Sequence, residues 1–235
     1  MVIWKVSPGR VRYRQSRRMK AAFTFTSWLA EPMQLSAKQK LAFTISLVGL
    51  LVVLAVLSRF WLADWPNFKP VAAVALFAGF LLGKRWLAWL VPLAILLLSD
   101  CLIGFYEWPV MVSVYASMVM AVGVGMILKS RFQKGTGIAR RIAGIALGSL
   151  AISIVFFLTT NAAVVLAGWY PMSLTGFGES YVAGLPFLRY TVLGDALFSF
   201  GLFASYYAVL SVVEARQRTV QTSFGSARSA APEPR

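Results

Sequence analysis

A chain of 235 residues that is 59% hydrophobic and only 13% charged lies outside the range of soluble domains, which average roughly 45–50% apolar and about 25% charged residues. Its apolar surface exceeds what one soluble core can hide, so a soluble globular protein is excluded, and the length suits a single membrane domain. The formal charge of +15 would fit a nucleic-acid partner if it were gathered on one patch, but the basic residues fall in separate segments between apolar stretches, which argues against nucleic acid.

In chain order, residues 1–40 read as a basic, weakly apolar N-terminal arm on the cytoplasmic side, with Met19 and Met33 as later candidate starts and a surface-lying segment near Ala21–Ala30. Residues 41–213 hold six apolar stretches: Leu41–Leu57, Val71–Gly83, Trp86–Ile103, Val110–Leu128, Ile142–Leu158 and Phe187–Val213. A full span takes about 20 residues, within a range of about 17–25, and five stretches meet that. The second does not. It predicts a short or sheltered helix whose first turn is set by Pro70. Fusing it to the third would place Lys84 and Arg85 at mid-membrane, where each charge is costly, so that pair predicts a tight turn. Residues 214–235, rich in Ser, Ala, Arg and Pro, read as a disordered cytoplasmic tail. The expectation is an all-α polytopic bundle of about six transmembrane helices.

The basic residues give that bundle an orientation. The arm carries nine, the Lys84/Arg85 turn two, Lys129–Arg141 five and the tail four, so 20 of 23 fall on one side of a six-helix alternation. The positive-inside rule names that side cytoplasmic, which gives a multi-pass membrane protein with both termini inside.

Chemistry should rest with polar groups that lipid does not tolerate. Asp100 near the outer end of the third stretch and Asp195 eight residues into the sixth lie at comparable depth in the outer half, and an ionisable residue inside a span is a functional candidate. The segment after the fifth stretch adds Thr159, Thr160, Asn161, Trp169, Tyr170, Glu179, Tyr181 and Arg189. It predicts a lid or half-helix lining a cavity, since irregular backbone at membrane depth is tolerated there. Trp and Tyr also gather at membrane interfaces regardless of function. Ala75, Gly79 and Gly83 recur every four residues, so one face of the short helix permits close helix approach, to a partner protein or to a neighbour in the same bundle. One cysteine, Cys101, and no histidine leave no disulfide within the chain, and remove the commonest metal ligand and general base. No cofactor and no metal site is expected. No Walker motif is present. Val192-Leu193-Gly194-Asp195 lacks the first glycine of the Gly-x-Gly-Asp context of aspartyl intramembrane proteases, and the chain is not expected to be an enzyme.

Four stretches carry a resemblance: Pro66-Asn67-Phe68-Lys69-Pro70-Val71 running on to Gly79, Val91-Pro92-Leu93 with Leu98-Ser99-Asp100, Phe156-Phe157-Leu158-Thr159-Thr160-Asn161, and Tyr181-Val182-Ala183-Gly184-Leu185-Pro186-Phe187. On them the chain, from about Asp64 to Tyr207, resembles a family of uncharacterised bacterial six-helix integral membrane proteins. That family is similar in layout to the substrate-binding S components of energy-coupling factor (ECF) transporters. The resemblance implies a site near the outer ends of the later helices, a small-molecule ligand such as a vitamin or related nutrient, and partners comprising a membrane scaffold subunit and an ATPase pair. S components often dock their scaffold through an Ala-x-x-x-Ala face on the first helix; the nearest match here, Ala75-x-x-x-Gly79, lies on the second. The expected substrate-binding residues are Asp100, Asn161, Trp169, Tyr170, Glu179, Tyr181, Arg189 and Asp195, with Ala75, Gly79 and Gly83 as the docking face. The alternatives are a non-transporting structural or assembly protein of the cell envelope and an intramembrane aspartyl enzyme.

Overall fold

Six helices and no strand make up the described residues of the computed structural model, which are 37–62, 64–65, 67–132 and 135–229. The expected arm at residues 1–40 and its candidate starts lie almost wholly outside them. The helices are α1 (Ala37–Trp61), α2 (Val71–Leu82), α3 (Leu87–Ile103), α4 (Trp108–Arg131), α5 (Ile138–Leu166) and α6 (Leu174–Ser229). The molecule divides into two units, and the larger, Leu35–Val212, is described by itself below. Residues 214–229 are helical in α6, where the composition suggests a disordered tail.

The short second helix is the centre of the bundle. Every residue of α2 except Leu81 is buried, so its ~18 Å length at 1.5 Å per residue never has to bridge a bilayer against lipid. Its neighbours come close because small residues remove the bulk between backbones. A methyl group on Gly79 would overlap the backbone carbonyl of Val122 on α4, and one on Gly125 would overlap that of Leu76 on α2. α2 ends at Gly83, whose φ of 64° suits a residue without Cβ. Its N–H bonds Gly79 O, and Lys129 Nζ bonds Leu81 O at 2.9 Å. The chain then turns through Lys84 and Arg85 into α3, as the charge argument requires.

Among the described residues, three helices are long and apolar enough to cross a membrane: α4, α5 and the Leu174–Val212 part of α6. α1, over Ile45–Trp61, α2 and α3 are shorter apolar helices. Large apolar side chains such as Leu97, Leu147, Val182, Leu193 and Val209 face outward, the arrangement of a chain solvated by hydrocarbon rather than water.

α5 and α6 run antiparallel in a register set by facing pairs. Ser153 bonds Asp195 at 2.7 Å, and the Arg141 guanidinium lies over the Tyr207 ring at 4.7 Å. Both helices extend further than their apolar stretches. α6 starts at Leu174 and runs through Gly176, Gly178, Gly184 and Pro186, so the segment before Phe187 is helix rather than an irregular lid. The glycines serve close packing instead of turns: Gly176 lies against the Pro171 carbonyl and Gly184 against the Asn161 side chain.

Candidate functional site

The first turns of α2 and α4, the last turns of α1, α3 and α5, and the upper half of α6 share one end of the bundle. Two adjoining cavities open there, with Asn67, Val114, Phe156 and Thr191 in the walls of both. The inner one, of about 160 Å³, is lined further by Arg59, Lys69, Tyr106 and Asp195. The outer one, of about 380 Å³, is lined by Val110, Phe157, Thr160, Asn161, Trp169, Tyr170, Ala183 and Phe187 among others.

Arg59, in the last turn of α1, reaches across to α3. It donates to Asp100 Oδ1 at 2.6 Å and also contacts Ser99 Oγ, while Tyr115 of α4 donates to Asp100 Oδ2 at 2.9 Å. Asp100 is 1% exposed, and both its oxygens are taken, so a carboxylate that would be prohibitive alone is matched in charge and hydrogen bonds. The pair ties α1, α3 and α4 together. It is the one ion pair among the described residues. Above it, Tyr106 sits in the loop between α3 and α4. Burial, then the Asp100 charge, pushes its phenol up to about 12, with Arg59 opposing.

Lys69 enters the inner cavity from the connection before α2. It forms no ion pair among the described residues. Burial first, and then the nearby Arg59 charge, holds its ammonium below the usual lysine value, as expected for a cation with incomplete solvation and no counterion. Asp195 lines the same cavity from α6, where the neighbouring Gly194 lies against Phe68 and the Lys69 backbone; it is 3% exposed, and among the described residues its one side-chain partner is the hydroxyl of Ser153. No hydrogen bond joins Asp100 to Asp195 among the described residues; each keeps its own partners.

The outer cavity is shaped by the α5–α6 connection. The N–H of Trp169 bonds Val164 O and that of Gly168 bonds Val165 O, both at 3.0 Å. With φ of 83° at Gly168, this pairing is a Schellman ending, and it folds Trp169 and Tyr170 back over the cavity mouth. Ser173 then starts α6, its Oγ accepting from Gly176 N at 3.1 Å, an N-cap contact to the third helical residue.

The structure brings Asn161, Trp169 and Tyr170 to the outer cavity and Asp195 to the inner one. The Asn161 amide nitrogen is engaged by Phe157 O at 2.8 Å. The other expected residues line neither cavity. Asp100 lies behind Arg59. Tyr181 bonds Leu158 O at 2.9 Å and so fastens α6 to α5. Glu179 is exposed. Arg189 is exposed as well, its guanidinium 4.7 Å from the Tyr190 ring. Ala75 and Gly79 are buried, and α4 of the same chain covers Gly79, so this pair is not open to a partner protein; Gly83 abuts the Lys129 side chain. Arg59, Lys69, Tyr106 and Asn67 were not among the expected site residues. Two signals pointed to some of them: Arg59 and Lys69 are two of the three basic residues on the side otherwise poor in Lys and Arg, and Asn67 and Lys69 lie in the first stretch that carries the family resemblance.

The chain belongs to the family of unknown function DUF6580, whose model matches residues 39–219. No curated protein and no solved structure matches it.

Proposed function

We propose that this member of the family is the substrate-binding subunit of a membrane uptake system, S-component-like in its role. It would take a small, partly polar nutrient from the outer face and depend on a membrane scaffold and an ATPase pair for release inside. In this reading all six helices lie in the bilayer of a bacterial inner membrane with both termini cytoplasmic, α2 being the one that lipid does not touch. The support is the distribution of the Lys and Arg residues: Lys84, Arg85, Lys129, Arg131, Arg140 and Arg141 lie at the end of the bundle away from the cavities, which the positive-inside rule assigns to the cytoplasm.

The observation that carries the reading is the pair of adjoining cavities. A ligand site is a concave, mostly apolar pocket of roughly 300–1,000 Å³ with a few well-placed polar groups. The outer cavity, about 380 Å³ and walled by aromatic and aliphatic side chains, has that character, and the inner one supplies the polar groups. An assembly protein docking through its small-residue face has less support, because Gly79 and Gly125 bring α2 and α4 of one chain together.

The test is extraction of the tagged chain from its host membrane in mild detergent, followed by native mass spectrometry and proteomics. The expected result is a bound small molecule retained by the wild type and lost in Ala183→Trp, which fills the outer cavity from an exposed position. An ATPase pair should be recovered from both. An empty wild-type protein recovered without any ATPase would overturn the reading.

A further inference from the structure

The inner cavity is lined by a basic and an acidic side chain, Lys69 and Asp195, that are not partnered with each other, and this bears on what the site accepts. Arg59 is already matched by Asp100. Among the described residues, Lys69 is not matched by any carboxylate, and Asp195, in the wall of the same cavity, has only the neutral hydroxyl of Ser153. Charging either group in one small, poorly solvated space is costly unless something there answers both. A simple organic anion would suit Lys69 but meet the Asp195 carboxyl group. A simple amine would suit Asp195 but meet Lys69.

We propose that the inner cavity is a subsite for a zwitterionic ammonium–carboxylate head, with Lys69 on the carboxylate and Asp195 on the ammonium, and that the outer cavity takes the flat apolar body attached to that head. The ligand class is therefore an amino acid or a related compound with an aromatic or broad apolar substituent. The dimensions agree. The inner chamber of about 160 Å³ suits a head of a few heavy atoms, and the outer chamber of about 380 Å³ leaves room for a ring against Phe156, Phe157 and Trp169, where aromatic side chains stack or meet it edge-on. Thr191 and Asn67, common to both chambers, stand at the junction between head and body.

This inference rests on the binding-subunit reading but fails separately from it, because it concerns only the charges of the ligand. The test uses three probes that share one phenyl ring: L-phenylalanine with both charges, 3-phenylpropionate with the anion alone, and phenethylamine with the cation alone. Binding to the full chain in lipid nanodiscs is read by calorimetry. L-phenylalanine should bind at least about tenfold more tightly than either single-charge probe, which corresponds to about 1.4 kcal/mol. Lys69→Gln should remove the advantage of L-phenylalanine over phenethylamine, while phenethylamine binds at least as tightly as to wild type. Asp195→Asn, which keeps a group able to meet Ser153, should remove the advantage of L-phenylalanine over 3-phenylpropionate, while 3-phenylpropionate binds at least as tightly as to wild type. Equal binding of L-phenylalanine and either single-charge probe would overturn the zwitterion assignment, as would loss of all three probes from a single variant that still melts like wild type. Absence of binding by all three to the wild type at millimolar concentration would overturn it too. A retained native ligand lacking one of the two charges would overturn the proposal while leaving the binding-subunit reading intact.

Discussion

Removing one partner of the Arg59–Asp100 pair leaves a full charge at a site with almost no water. Breaking a buried pair in that way costs about 3–5 kcal/mol, whereas replacing both partners with apolar residues of similar volume is often neutral or better. Asp100→Asn and Arg59→Met should therefore each lower the melting temperature in detergent sharply, and the double variant Arg59→Met, Asp100→Leu should recover most of the loss. Additive losses in the double variant would show that the pair is not the tie between α1 and α3. Asp195 differs, since its only partner is a hydroxyl, which an amide can also meet; Asp195→Asn should melt within about 1 kcal/mol of wild type, the scale of one neutral hydrogen bond. Both carboxylates were legible as candidates because lipid tolerates so few charges. That Asp100 is held by Arg59 was not, because the two are 41 positions apart and a basic residue at a helix end reads equally well as an interfacial anchor.

Among the elements, α2 was the most legible. Thirteen apolar residues between Pro70 and Lys84 are too few for a lipid-facing span, and the helix is indeed enclosed by its neighbours. The small residues on it were also visible, but spacing alone does not say which helix answers them; Gly125 on α4, which makes the contact reciprocal, ends a repeat of small residues every four positions, Ser117, Ala121 and Gly125, that the reading of α2 did not use. Overpacking a fitted contact costs about 1–3 kcal/mol. Here the obstacle is backbone, which has no rotamer to escape into. Gly79→Ala and Gly125→Ala should each cost at least the upper part of that range, and Gly123→Ala, with open space around it, should cost little; equal melting of all three would refute the close α2–α4 approach. The start of α6 was the least legible element, because Gly176, Gly178, Gly184 and Pro186 carry the composition of a loop. What the composition conceals is that Gly184 accepts the Asn161 side chain and that Ser180 bonds Asn161 O at 2.7 Å, so these residues shape a helix–helix contact. At the other end of that connection, Gly168 has a positive φ. Gly168→Val should destabilise the turn by about 1–2 kcal/mol, the cost of a left-handed residue bearing a Cβ. It should also weaken ligand retention beyond that loss, since Trp169 and Tyr170 take their places from it.

For the whole molecule, the placement of the cavities has functional meaning only if their end of the bundle faces outward. The alternation of helices fixes which connections share a side: those at 62–70, 104–107 and 167–173 lie at the cavity end, and those at 83–86 and 132–137 at the other. The basic residues then select the direction, because Lys84 and Arg85 lie in the first of the latter connections and Lys129, Arg131, Arg140 and Arg141 in the helix turns that flank the second, and Lys/Arg-rich ends stay in the cytoplasm. The single native cysteine, Cys101, is exposed near the cavity end and would itself react, so it is first replaced by Ser. In that background, Met172→Cys and Gly137→Cys place one thiol at each end, both at exposed positions. A membrane-impermeant maleimide applied to intact cells, or to spheroplasts where an outer membrane blocks access, should label position 172 fully and position 137 only after lysis. The reverse pattern would put the cavities on the cytoplasmic side, where a subunit for nutrient uptake has no substrate to collect, and would turn the site toward export or toward a ligand made inside the cell. Labelling of both positions before lysis would break the six-helix alternation itself. The experiment thus tests the architecture and the direction of transport together, and its two failures are distinguishable by which thiol reacts.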